Sequence, residues 1–243
     1  GNFTTLIICE ALLILAALLS LMLPRLLPRE KKDMSVFGAT VKIWNVFKFI
    51  FGRKKTWLFF VMLALVQGII AFGVTLAPGF FREMLGMDIN KSLVIAFPLV
   101  CIGATIGAIF AKNPKVREGV FLTFGMGAIG VGGLVIGTLI IFGFTSPQFL
   151  IFPICIYLAF LGFGVIISLI ASRTVLQKLI PHNYQGSVFG ANTILASFFA
   201  GTFSPLSAGL AALFGYTAIL ILGGVGFSLL AVMLVYFSQK WKF

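Results

Sequence analysis

Six long apolar runs, at residues 3–23, 57–77, 92–111, 120–142, 149–172 and 188–237, leave this chain little choice of solvent. As a helix, a run of about twenty residues crosses about 30 Å of hydrocarbon at about 1.5 Å per residue, and in lipid a helix satisfies its own backbone. The last run is long enough for two spans, and a break is expected near Gly215. The chain is therefore read as an all-α polytopic membrane protein with seven transmembrane helices.

Threading the runs alternately across a bilayer places 16 of the 18 Lys and Arg on one side. Nine of them fall between the first two runs: Arg25, Arg29, Lys31, Lys32, Lys42, Lys48, Arg53, Lys54 and Lys55. Lys112, Lys115, Arg117, Arg173, Lys178, Lys240 and Lys242 follow on the same side. The opposite side holds Arg82 and Lys91, offset by Glu83 and Asp88. The positive-inside bias makes the cation-rich links cytoplasmic, with residue 1 outside and the carboxyl terminus in the cytoplasm. The expected location is a cell inner (plasma) membrane.

A net charge of +12 suggests nucleic acid in a water-soluble protein, but 60% hydrophobic and 10% charged residues leave no soluble face for a phosphate groove, so no nucleic-acid partner is expected. The basic balance is a topology signal. No small-residue cleavage pattern follows an apolar run, and the first run is too long for a signal-peptide core. Cys9, Cys101 and Cys155 lie within apolar runs without CxxC spacing and read as packing residues, with no metal or cofactor implied.

Between the first two runs, residues 34–51 divide at 100° per residue into an apolar half, with Ile43, Trp44, Phe47 and Ile50, and a polar half with Lys42, Asn45 and Lys48. That division fits an amphipathic helix in the headgroup layer. Beyond it the links read as residues 78–91, 112–119, 143–148 and 173–187, alternately long and short. Two sets of three spans, each with a long first link and a short second one on opposite faces, match an inverted 3+3 repeat of the transporter kind.

Residues able to carry chemistry are sparse. Glu10 is the one acidic group within a span, about 10 Å below its outer end, and a carboxylate there costs about 2.5–3.5 kcal/mol unless it is hydrated, protonated or paired. It is a possible proton or cation site, set against the plainer reading of a watery outer vestibule. His182 lies in a link, and no carboxylate pair or nucleophile with a nearby base can be assembled, so no enzyme activity is expected. Gln67, Thr75, Thr105, Tyr157, Ser168, Asn192, Ser197 and Ser204 are the neutral polar residues in spans. Gln67 lies near the midplane, and Gln67 and Asn192 are candidates for lining a cavity.

Gly125, Gly127 and Gly130 spell GxGxxG without the preceding strand or later acid that a dinucleotide site needs. With Gly133 and Gly137 they instead predict close approach of a neighbouring helix. Asn2, Phe3 and Thr4 form a sequon too close to the first span for glycosylation, and Pro98 and Pro205 mark expected bends.

Three stretches carry a family resemblance. TLAPGFFREMLGMDINKSLVIAFPLVCIGATIGAIF (residues 75–110), LQKLIPHNYQGSVFGANTILASFF (176–199) with Gln177, Pro181, Gly186, Val188, Phe189 and Gly190, and SPLSAGLAALFG (204–215) resemble the carboxyl-terminal half of the major facilitator superfamily. The second stretch is closest to its drug and siderophore exporter branch. The resemblance implies that residues 1–23 are the last helix of an amino-terminal bundle, 24–55 a basic central cytoplasmic loop and 56–243 a carboxyl-terminal six-helix bundle, with the missing amino-terminal bundle as partner. It implies that the sixth, ninth and twelfth helices are peripheral while the seventh and tenth face the cavity, which lowers Glu10 and raises Gln67 and Tyr157 as substrate-binding residues beside Asn192. The implied function is secondary active export of a small amphipathic or drug-like solute by alternating access. A non-transporting scaffold or regulatory subunit and a self-pairing half-transporter are the alternatives.

Overall fold

The protein is described by a computed structural model, which covers residue 48, residues 50–112 and residues 116–241. The first expected span with Glu10 and Cys9, and all of the amphipathic segment before Lys48, lie outside the described residues. The described chain is helical: α1 (Lys54–Leu85), α2 (Ile89–Phe110), α3 (Glu118–Ile141), α4 (Pro147–Leu179) and α5 (His182–Trp241). All five helices are long and apolar enough to cross a membrane. Large apolar side chains such as Val74, Phe97, Ile109, Phe152 and Val232 are exposed along them, as hydrocarbon solvent requires.

α5 is broken at Gly215, where φ 76° and ψ 165° are far from helical and suit a residue without a Cβ. The expected break thus divides the last run into two arms. The links are much shorter than the apolar runs suggested. α1 continues through Pro78 and ends at Gly86, whose left-handed φ of 61° turns its N–H back to the Phe81 carbonyl. α2 starts at Ile89, so most of the expected outer link 78–91 is helix. The expected inner link 173–187 shrinks to residues 180–181, because α4 runs on to Leu179 and α5 begins at His182. Ile180 is extended, as a residue before proline must tend to be. The real links, 86–88, 111–117, 142–146 and 180–181, do not alternate long and short, so link length offers no support for a repeat. Polar, helix-compatible sequences such as FFREML simply continue a helix past the hydrocarbon.

Contact registers give the directions. Asn192 meets Phe60, and Gly68 meets Phe199 and Phe203, so α1 and the first arm of α5 run parallel. Gly103 and Gly107 of α2 face Ala159 and Phe163 of α4, again parallel. Gly130 and Gly137 of α3 face Ser228 and Ile221, so α3 and the second arm are antiparallel. The glycine spacing on α3 therefore has the role expected of it. Gly125 admits α4, where a Cβ would lie 2.6 Å from the Gly164 carbonyl oxygen, and Gly130 admits the second arm, with the Ser228 nitrogen at 2.5 Å. Gly127 takes no part in close approach; its nearest neighbour is the Ala231 Cβ at 3.7 Å.

These directions collect Lys54, Lys55, Lys112, Arg117, Arg173 and Lys178 toward one end of the bundle, where Glu118 pairs with Lys178 between α3 and α4. At that end Gln185 donates to the carbonyls of Gln177 and Ile180 at 3.2 and 3.4 Å, joining the α4–α5 corner. The opposite end carries the chargeless link 142–146, in which Phe142 and Phe144 are exposed, and the Gly215 break, flanked by exposed Leu213 and Phe214. The core forms two clusters. One, around Leu63, Val66, Leu122, Met126 and Leu176, lies toward the basic end; the other, around Phe81, Leu85, Ile136, Leu150 and Ile154, lies toward the opposite end.

Candidate functional site

Between the two core clusters the packing opens into a cavity of about 130 Å³. Its walls come from α1 between Ile69 and Phe81, from Ile129 of α3, from α4 between Ile154 and Leu161, and from the second arm of α5 between Tyr216 and Phe227. The opening has a cause in the sequence: Gly73, Gly223 and Gly224 contribute no side chains to a space bounded by large ones. Apart from two tyrosines, every lining side chain is apolar.

Tyr157 is half-buried on α4, and its ring lies over Gly132 of α3, where a Cβ would come within 2.5 Å of the ring. Tyr216 follows the Gly215 break directly. Its ring meets Phe80 edge-on at 6.1 Å between centroids, and its hydroxyl sits against Gly79, where no Cβ would fit. Buried tyrosine hydroxyls usually find a partner, yet neither of these makes a hydrogen bond among the described residues. A solute with one hydrogen-bonding group on an apolar body would supply what they lack.

The other expected site residues are distributed differently. Asn192 is buried, and its amide donates to the Phe60 carbonyl at 2.7 Å, tying α5 to α1 outside the cavity wall. Gln67 is half-buried on α1, and it too lies outside that wall. Glu10 lies outside the described residues. Among the remaining polar residues, Thr75 and Ser204 meet across α1 and α5 at 2.8 Å. The Thr75 hydroxyl donates to the Ala71 carbonyl, so Ser204 is the donor between the two. Ser207 in turn donates to the Ser204 carbonyl at 2.7 Å, in the peptide unit that Pro205 shares with Ser204. Ser168 is buried beside Gly125 with no hydrogen-bond partner among the described residues, Thr105 bonds back to Cys101, and Ser197 is exposed.

Tyr216 was not among the sequence candidates, although a tyrosine directly after a break glycine, with a Pro78–Gly79 pair elsewhere, is the signal that marks it. The cavity also uses the second arm of α5 as a wall, beside α1 and α4. Small residues on that arm and on α3 bring it into the interior.

No curated protein is similar enough to match the chain. The family model of the Major Facilitator Superfamily matches residues 3–205, the greater part of the sequence. Multi-pass apolar helices, an interior cavity and this match together make the chain a member of the Major Facilitator Superfamily of membrane transporters.

Proposed function

We propose that this chain serves secondary active transport of a small amphipathic or drug-like solute, exported by alternating access, with Tyr157 as its first contact. The observation that carries the reading is the apolar cavity whose polar features are the unbonded hydroxyls of Tyr157 and Tyr216. Such a chamber favours an uncharged body with one acceptor or donor, because a charge would lose its hydration there without a counter-charge. Gln67, about 20 Å along α1 from Lys54 and outside the cavity wall, offers the solute path an amide near the middle of the bundle. Asn192 holds α5 on α1 and thereby shapes the path rather than touching solute.

In this reading residues 56–243 are the carboxyl-terminal six-helix bundle, a 3+3 inverted repeat in which the two arms of α5 count as separate spans. Residues 1–23 are the last helix of the amino-terminal bundle, and 24–55 the cytoplasmic loop. The basic end faces the cytoplasm of a cell membrane, as the cation excess favours. The partner is the amino-terminal bundle, against which this one rocks, and the exporter branch is the nearest of the family.

The test is thiol protection. With the native cysteines replaced, Tyr157→Cys and Gln67→Cys are each reconstituted in lipid nanodiscs and labelled with a maleimide, with and without the neutral amphiphile Nile red. Slower labelling at residue 157 by saturating Nile red supports the reading, and slower labelling at residue 67 as well would carry the solute path beyond the cavity wall. Equal labelling at residue 157 with and without the dye refutes it.

A further inference from the structure

A second hollow adjoins the cavity. A groove of about 310 Å³ opens between α1 and the two arms of α5, with Leu65 on α1, Phe203, Leu206 and Leu210 on the first arm and Leu222 on the second. Ile69, Phe72, Ile219, Gly223 and Phe227 line both the groove and the inner cavity. The partition between them is therefore thin, one layer of residues that face both hollows. Ile69 and Ile219 are almost fully buried in that layer, while Phe72 and Phe227 are half-buried.

We propose that this groove is a lateral portal, through which a small, uncharged, single-chain amphiphile dissolved in the bilayer passes between the arms of α5 into the cavity beside Tyr157. The proposal rests on the reading of that cavity as the solute site. Three observations select the occupant. The groove lies midway along helices that span hydrocarbon, and Leu206 and Leu222 at its rim are exposed to that solvent. Its lining has no charged side chain, so a phosphate or ammonium head would enter without a counter-charge. Within the cavity the two unbonded phenol hydroxyls reward a single polar group. Passage asks for rotation of Phe72 and Phe227 rather than for separation of helices, since aromatic side chains reorient faster than packed helices move.

Gly223 supplies the test, because it lies in the shared wall and a Cβ there would meet nothing nearer than Phe227 at 4.0 Å. Gly223→Leu therefore puts a side chain into the passage without a clash at its root. Gly226→Leu is the control: it lies on the same arm, is exposed, and its Cβ would meet nothing within 4 Å. The full chain in nanodiscs is irradiated with a long-chain alkanol carrying a diazirine, and adducts are mapped by mass spectrometry. The wild type is expected to carry adducts on the groove (Leu206, Leu210) and in the cavity (Ile154, Leu158). Flash irradiation before the cavity has filled reads the rate of entry, so Gly223→Leu should lower early cavity adducts about tenfold, the effect of about 1.4 kcal/mol of added barrier, and leave groove adducts in place. Phe72→Trp, which thickens the wall from α1, should act in the same direction if Gly223→Leu does not fold.

Cavity labelling that is equal in wild type, Gly223→Leu and Phe72→Trp overturns the portal, and so does its absence from the wild type. A phospholipid with a mid-chain diazirine that labels the cavity as strongly as the alkanol overturns the single-chain assignment. Loss of Nile red protection at residue 157, with alkanol labelling of the cavity intact, counts against the solute reading and leaves the portal standing.

Discussion

Substituting Gly103 by alanine drives one methyl group into the backbone of a neighbouring helix. The added Cβ would lie 1.9 Å from the Ala159 carbonyl oxygen, 2.7 Å from its carbon and 3.0 Å from its Cα, whereas ordinary contact begins at 3.4 Å. The oxygen would have to recede by about 1.5 Å, and because all three atoms are backbone no rotamer change relieves the clash. A gap of about 0.5–1 Å already forfeits a quarter to a half of the dispersion energy between facing atoms. The loss falls heavily on α2, the least buried of the five helices, whose principal neighbour is α4. Overpacking of this kind costs about 1–3 kcal/mol, and the distance places Gly103 toward the upper figure. Improved helix propensity returns up to about 1 kcal/mol, leaving a net loss of about 1–2 kcal/mol and a folded-to-unfolded ratio about 5- to 30-fold lower. The assay is SDS-driven unfolding in mixed micelles followed by circular dichroism. Gly201→Ala is the reference, since Gly201 is exposed and a Cβ there meets nothing within 4 Å. Gly162→Ala probes the same crossing from α4, with the Val100 oxygen at 2.1 Å, so the double variant should cost less than the sum. If Gly103→Ala unfolds at the same SDS fraction as Gly201→Ala, or a higher one, the close-approach argument is wrong.

Gly215→Ala places a Cβ at φ 76° and ψ 165°, a region essentially reserved for glycine, and should cost about 1–3 kcal/mol in the same unfolding assay. Asn192→Leu removes the hydrogen bond to Phe60 and should lower stability by about 0.6 kcal/mol, with Nile red affinity unchanged once folded protein is counted. Tyr157→Phe keeps the ring over Gly132 and removes the hydroxyl, so Nile red should bind about 2- to 10-fold more weakly with stability little altered, read by fluorescence titration. Glu118→Gln breaks an ion pair whose lysine is largely exposed; the change in stability should stay below about 1 kcal/mol and shrink further in high salt.

The apolar spans among the described residues, the break at Gly215 and the glycine face of α3 were legible because each follows from one-dimensional information: run length, a residue without a Cβ, and spacing along a helix. Link lengths were not, because hydropathy marks where hydrocarbon ends, while α1 and α4 remain helical beyond that point. The polar residues show the same limit. Thr75 and Ser204 were each visible as hydroxyls in a span, but their pairing depends on the parallel register of α1 and α5, which no local pattern contains. Tyr157, which lines the cavity, was singled out through the likeness to a transporter family. Tyr216, beside it in the lining, was passed over because that likeness assigned the last helix to the periphery, whereas the close approach of Gly224 to Gly130 and Leu134 brings its second arm against α3 and into the wall.

The two ends of the bundle are moored by different physics. In a bilayer, Lys54, Lys55, Lys112 and Arg117 at one end would lie at the depth of the phosphate headgroups, whose attraction weakens as ionic strength rises. Phe142, Phe144, Leu213 and Phe214 at the other end hold by hydrophobic burial, which ordinary salt barely touches. Added salt would therefore loosen the basic end more than the other, where Arg82 and Lys91 are offset by Glu83 and Asp88, and the tilt of the bundle in the membrane becomes a quantity that the lipid charge can set.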